Sequence, residues 1–370
     1  SYAKASRIFH LESNPFNARI LYQKHGSRHV KVNPPSLPLS MEEMDKIYSL
    51  HFVKEPHPSY KGKIPAHEMV KFSITIQRGC FGGCTFCSLT EHQGRIVQHR
   101  SEKAILKEIE GLKKLKGFTG VVSDLGGPTA NMYRLRCRDR EVESKCRRLS
   151  CIHPKICKFM DTDHTPQIKL LRKARNMDGI KKVFIASGVR YDLALKSPEY
   201  IKELVCHHVG GHLKAAPEHT SKRVLNLMKK PEIEIFKEFK KYFDRFNREC
   251  GKEQYIVPYF ISSHPGSDLK DMIDLALFLK REGYRLQQSQ DFIPTPMTLA
   301  TAMYYTGYDP ITLKKVYCAR TTKEKRLQKA LMRFYDPHNY YLVKEALIQA
   351  GRGDLIGYGK DKLIPPYKRL

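Results

Sequence analysis

The chain has 370 residues, 41% of them apolar and none tryptophan, and 66 Lys and Arg against 38 Asp and Glu give it a formal charge of +28. That length suits one large domain or two ordinary ones, and the charge points to an anionic partner: RNA, an acidic peptide or a membrane surface. No run of about 20 apolar residues is present, so neither a membrane span nor a secretion leader is expected, and no RNP1, homeodomain or zinc-finger spacing names the ligand.

Residues 1–65, rich in Pro, His and Lys, predict an irregular lead-in with one short helix near 41–50. The sequence begins at Ser1 without Met, as a piece of a longer protein would. A strand–helix alternation then starts. Residues 70–76 alternate like a strand and run straight into a cysteine cluster. Residues 101–115 carry Ile105, Ile109, Leu112 and Leu115 at helical spacing, behind a Ser101 cap. Residues 119–125 predict a second strand ending at Gly126-Gly127-Pro128. Residues 129–164 break the rhythm with a polar, basic insert that holds four cysteines.

The alternation resumes with a helix at 167–176 and a strand at 182–187. Helices follow at 199–207, 222–228, 232–250 and 269–281, and strands at 211–215, 255–262 and 286–293. Such an alternation predicts parallel β/α units, as a partial barrel or an open sheet. In either, chemistry gathers at the carboxyl ends of the strands, which is where the cysteines, Gly126-Gly127 and Glu218 fall. After Thr306 two helices are expected, at 323–334 and 339–350, and then a mobile basic tail over 351–370.

Ten cysteines without a leader argue for metal or catalytic use rather than disulfides, in a reducing cytoplasm. Three stand in Arg78-Gly79-Cys80-Phe81-Gly82-Gly83-Cys84-Thr85-Phe86-Cys87. Three thiolates fit three corners of a cubane iron–sulfur cluster and leave one iron open for a small molecule. The glycines let the loop wrap closely around sulfide, and Phe86 is placed to lie against a nucleoside base. A zinc site with a remote fourth ligand, or thiols without metal, is the plainer alternative. A second set, Cys137, Cys146, Cys151 and Cys157, sits in the insert and suits zinc or a further [4Fe-4S] cluster. His153 and His164 are reserve ligands there. Cys206, Cys250 and Cys318 read as isolated thiols. The insert also carries Arg134, Arg136, Arg138, Arg140, Lys145, Arg147 and Arg148, which suit RNA phosphates or a solvated rim.

The run Cys80-x3-Cys84-x-Phe86-Cys87 after a strand resembles the radical S-adenosylmethionine (SAM) superfamily. Gly94-Arg95-Ile96-Val97-Gln98-His99-Arg100-Ser101, Ser123-Asp124-Leu125-Gly126-Gly127-Pro128, Ala215-Ala216-Pro217-Glu218-His219-Thr220 and Pro294-Thr295-Pro296-Met297 resemble its YgiQ-type branch. The resemblance runs over about residues 1–360. It implies an α/β fold, a partial (β/α)6 TIM-like barrel over 66–306 with the cysteine-rich module inserted at 129–164. Residues 1–65 form its lead-in and 307–370 a helical extension. It implies a [4Fe-4S] cluster on Cys80, Cys84 and Cys87, with SAM on the open iron and a flavodoxin- or ferredoxin-type reductant.

The Gly126-Gly127-Pro128 turn stands where the superfamily has a Gly-Gly-Glu-like turn against the methionyl amine, but lacks its carboxylate. Ser187, Lys214 and Glu218 are candidates for the SAM carboxylate and ribose, and His264 for the adenine. The expected function is reductive SAM cleavage acting on an unidentified substrate. RNA is favoured by charge and by some resemblance to methylthiotransferases at Arg95 and Arg100. A protein or peptide substrate is the second reading, and an iron–sulfur electron carrier or RNA-binding protein without SAM turnover the third.

Overall fold

Among the described residues, six parallel strands laid side by side in chain order carry the central sheet. The computed structural model describes residues 2–286 and 289–368. β1 is Ser73–Thr75, and β2 comes in two pieces, Val121–Val122 and Asp124–Gly126. β3 is Lys182–Val183, β4 His212–Glu218, β5 Tyr255–Ser262 and β6 Gln290–Asp291. β1 pairs with the second piece of β2 and β3 with its first. A parallel bridge from Val189 to Ala215 joins the β3 segment to β4. β5 pairs with both β4 and β6. Helices Glu102–Leu112, Thr165–Arg175, Ile233–Glu249 and Leu269–Arg281 cover one side. They bury Ile105, Leu171, Phe239 and Leu275 with Ile74, Val122, Val183 and Leu213 in one core.

These elements follow from local sequence. Ser101 accepts from the Ala104 N–H and caps the helix Glu102–Leu112. Asp268 and Asp271 form a capping box at the start of Leu269–Arg281. Of the sixth strand expected over 286–293, only Gln290–Asp291 is strand, and residues 287 and 288 lie outside the described residues. The strand expected over 70–76 is shortened to β1, because Pro65–Val70 is a helix begun by its proline.

Three expectations are corrected. The first 65 residues are not irregular: they contain the helix Tyr2–Leu11 and a hairpin, Leu21–His25 with Arg28–Val32, besides the capped helix Met41–Ser49. The tail after Gly351 is pinned. Leu363 and Ile364 are buried, and the Tyr340 hydroxyl donates to the Pro366 carbonyl at 2.6 Å. Cys206 and Cys250 are not isolated but stand side by side, since the helical turn Leu204–His208 and the end of the helix Ile233–Glu249 bring their Cα atoms to 5.7 Å. The C-terminal helices Thr322–Met332 and Tyr340–Gln349 share the main core through Leu327, Leu331, Val343 and Leu347. Among the described residues, no helix is long and apolar enough to cross a membrane.

Candidate functional site

The cysteine loop leaves β1 directly. Gln77–Arg78 pairs with Gln98–His99 and turns the chain at Gly79, so Cys80, Cys84 and Cys87 follow at the carboxyl end of the strand. The Gly82 N–H donates to the Cys80 sulfur at 3.4 Å, and the Thr129 hydroxyl lies 3.6 Å from it. Arg190 Nη1 donates to the Cys84 sulfur at 3.4 Å. The Arg190 side chain is itself buried and holds Asp192 through Nε at 2.9 Å and Nη2 at 2.6 Å. Burial pushes the Cys80 thiol up, with the neighbouring Cys84 adding to it, and pushes Cys87 up to about 12. Cys84 and Cys87 border a small cleft with Arg95, Glu91 and Lys229. Burial brings Lys229 down to about 8.

The turn after β2 reaches the same place. A Cβ on Gly126 would stand 2.8 Å from the Ser187 hydroxyl oxygen and 3.0 Å from Asp124 Oδ1, and one on Gly127 2.9 Å from the Gln77 carbonyl oxygen. Glycine is therefore required by close approach. Past Pro128, the Thr129 carbonyl accepts from Gln77 Nε2 at 2.6 Å. Asp124 accepts from the N–H groups of Ala186 at 2.9 Å and Ser187 at 3.2 Å, and from the Ser187 hydroxyl. Ser187 is thus engaged by a carboxylate that sequence reasoning did not single out, although it stands two residues before the turn.

Glu218 ends β4 buried, with φ at +69°, beside a slip in the β4–β5 ladder. Ser263, just past β5, also has positive φ, at +60°. Two non-glycine residues in this region at adjacent strand ends mark strain held at a site. Burial raises the Glu218 carboxyl, and Lys230 and Arg190 offset this in part. Lys214 is not brought to this end. It is exposed four residues earlier on β4, roughly 13 Å back at about 3.3 Å per residue. His264 is fully buried, its ring 5.9 Å from that of Phe86 and 5.3 Å from Phe292, and burial lowers it to about 4, so it is neutral.

Arg190, Asp192, Asp124, Lys229 and Lys230 were missed. The signal for Arg190 was its place three residues past the strand expected over 182–187, near the strand end where the other site residues fall. Arg100 is a structural residue: it is buried, with Nη1 donating to the Thr75 carbonyl at 2.9 Å and to Glu108 at 2.6 Å. Several basic residues of the insert are also engaged internally. Arg147 holds the carbonyls of Leu11 and Asn17, Arg148 those of Ser150, His153 and Lys155, and Arg138 that of Lys158. His164 is core, its Nδ1 3.1 Å from the Thr162 carbonyl and its ring 4.8 Å from Tyr200.

Three soft thiol donors on one loop, with an N–H and a guanidinium turned towards two of them, fit a cluster of net negative charge with one iron left open. Among the described residues, no three His, Cys, Asp or Glu side chains are gathered as a single metal ion requires. The Radical SAM superfamily profile matches residues 74–279, which hold Cys80, Cys84, Cys87, the Gly126-Gly127 turn, Arg190, Glu218 and His264. The chain belongs to the radical SAM superfamily, in its YgiQ-type branch. The profile of the Radical SAM N-terminal region covers residues 1–73 of this radical SAM protein, and that of a domain of unknown function, DUF3362, covers 287–370.

Among relatives, UPF0313 protein YgiQ of Escherichia coli (strain K12) is 54% identical over 98% of this chain and 50% of its own length. A UPF0313 protein of Pseudomonas aeruginosa is 55% identical over 99% of this chain and 50% of its own. This radical SAM chain therefore spans about half the length of these relatives. A solved structure of the radical S-adenosylmethionine methyltransferase TsrM from Kitasatospora setae, with tryptophan substrate and a SAM analog bound, matches 64% of this chain and 39% of that one. It does so at 12% identity and a TM-score of 0.40, too distant to bear on mechanism.

Proposed function

We propose that this chain reductively cleaves SAM at the carboxyl ends of a partial (β/α)6 barrel, within a three-part chain of 1–65, 66–306 with its insert at 129–164, and 307–370. The observation that carries the reading is the three-thiol loop at the end of β1 with the buried Arg190 against Cys84. Cys80, Cys84 and Cys87 would hold a [4Fe-4S] cluster. When bound, that cluster would supply the electron for cleaving SAM to methionine and a 5′-deoxyadenosyl radical able to take a hydrogen atom from a substrate.

The remaining work falls to the chain's own side chains. Arg190 balances thiolate charge beside Cys84, and Asp192 fixes its position. Gly126-Gly127-Pro128 leaves a narrow turn; the Gly126 carbonyl accepts from the Ile76 N–H at 2.8 Å, so the carbonyls of Gly127 and Pro128 are the ones left to meet the methionyl amine in place of a carboxylate. Glu218 is set at a strand end for the ribose, and Phe86 with His264 walls the adenine. Lys214 is left out of the SAM contacts by its place on β4. A flavodoxin- or ferredoxin-type protein of a reducing cytoplasm donates the electron. The charge of +28 supports RNA as the substrate.

Anaerobic reconstitution with iron, sulfide, SAM and dithionite tests this. Methionine and 5′-deoxyadenosine are expected from the chain and not from C84A. Their absence from well-reduced, SAM-bound protein overturns the reading. Binding to cellular tRNA that weakens steeply with salt is expected, and no binding at low salt removes RNA.

A further inference from the structure

The four cysteines of the insert are brought together by separate stretches of backbone. Cys137 lies opposite Met160 in an antiparallel bridge. Cys146 ends the helix Arg140–Lys145, itself only 6 residues long. The Cys157 N–H donates to the Cys151 carbonyl at 2.8 Å. All four thiols line one cavity of about 50 Å³, whose other walls include Phe81, Leu135, Val142 and Met160.

We propose that this cavity is a second iron–sulfur site, a closed [4Fe-4S] centre with Cys137, Cys146, Cys151 and Cys157 as its ligands. The assignment goes beyond SAM cleavage and does not depend on it. The insert has little core of its own: Met132, Leu135, Ile152 and Met160 form a small cluster only by borrowing Phe81, Val97 and Leu193 from outside. A bound metal replaces such a missing core.

Four thiolates suit a [4Fe-4S] centre or zinc, and the iron and zinc content of the reconstituted protein separates them. The walls are mixed, with Asn14, Arg136, Glu143 and Arg148 beside the apolar side chains, and Arg95, with Nη2 3.9 Å from the Cys146 sulfur, offsets the negative charge of a four-thiolate cluster.

Arg95 also borders the cleft of Cys84 and Cys87. The two cysteine sets are joined through backbone as well. The Cys151 N–H donates to the Phe81 carbonyl at 3.1 Å, and the Ser150 hydroxyl to the Gly82 carbonyl at 2.7 Å.

The test reconstitutes three proteins anaerobically with iron and sulfide: the full chain, C80A/C84A/C87A and C137S/C157S. About eight irons per chain are expected in the first and about four in each variant. Reduced C80A/C84A/C87A should give a paramagnetic resonance signal that SAM leaves unchanged. Zinc without iron in that variant overturns the iron–sulfur assignment, and no metal at all overturns the site. Failure of the SAM-cluster reading shows elsewhere, as loss of iron from C137S/C157S. Should a variant not fold, the full chain decides. Two reduced signals, one shifting with SAM, are expected; a single SAM-sensitive signal with about four irons overturns the proposal.

Discussion

The Arg190 guanidinium stands 3.4 Å from the Cys84 sulfur while gripping Asp192 with its other two nitrogens, so one buried cation serves both a thiol and a carboxylate. Both roles are separable. R190M strands Asp192 as a buried unpaired charge and should cost about 3–5 kcal/mol. R190M/D192L removes both charges and should recover most of the melting temperature. It should not recover SAM cleavage, because the cation beside Cys84 is still gone. Wild-type rates of 5′-deoxyadenosine formation in the double variant would reduce Arg190 to a packing residue.

Glu218 is a carboxylate kept where a carboxylate is costly. Burial raises it above its ordinary value of 4.5. A raised folded pKa means the native state binds the proton more tightly than the unfolded chain. Stability is therefore greatest at low pH and falls as pH rises through the folded value. E218Q should remove that loss, melt higher at neutral pH and bind SAM at least tenfold more weakly. Equal SAM affinity by calorimetry, with the higher melting temperature, would show a carboxylate without a ligand role.

The sequence exposes elements whose pattern is local and hides those fixed by distant partners. Residues 255–262 and 269–281 were legible because alternation, apolar spacing and the Asp268 cap agree within the segment. The helix Tyr2–Leu11 was not, since it buries Ala3, Ser6 and His10, none of which marks an apolar stripe. It is held by packing on the helix Leu299–Thr306, with Tyr2 edge-on to Tyr305. The cysteine loop was legible from spacing, and its strand-end position from the β/α rhythm. Arg190 was hidden because its partner Cys84 is 106 residues away. Lys214 misled because the strand was expected to end at 215, whereas β4 runs on to Glu218.

Gly83 joins the two cysteine sets. Its φ is +63°, and an added Cβ would overlap the Leu149 carbonyl oxygen and sit 3.2 Å from Ser150 Cα. Those atoms are backbone, so side-chain rotation gives no relief. G83A should cost about 1–3 kcal/mol and lower iron loading at both Cys80–Cys87 and the insert. L149A, which keeps the backbone, should leave both intact. Iron content after reconstitution checks the pair, and a fully loaded G83A would mean that the loop and insert do not depend on this contact.

Glu12 anchors the insert from the opposite side. Its buried carboxylate accepts from Arg19 Nε at 2.9 Å and Nη2 at 2.6 Å, and Arg147 Nη1, next to Cys146, lies 2.8 Å away. Burial works against the charge, but the hydrogen bonds from Arg19 and Arg147 win and hold the carboxyl down at about 2 against an ordinary 4.5. Between those values the unfolded chain binds the proton and the native one does not. Stability from this group is thus whole above about pH 4.5 and is lost as pH falls towards about 2. Glu203, held at about 2 with His208, Arg172 and Arg175 as partners, adds a parallel acid loss, so the difference between proteins is the quantity to read. E12Q should unfold in less denaturant than the parent at pH 7, with the gap closing as pH falls through that window. Proteolysis of the native protein should shift to the 140–150 segment in E12Q. A gap that stays constant from pH 7 to pH 3 would mean that the Glu12 charge does not hold the insert.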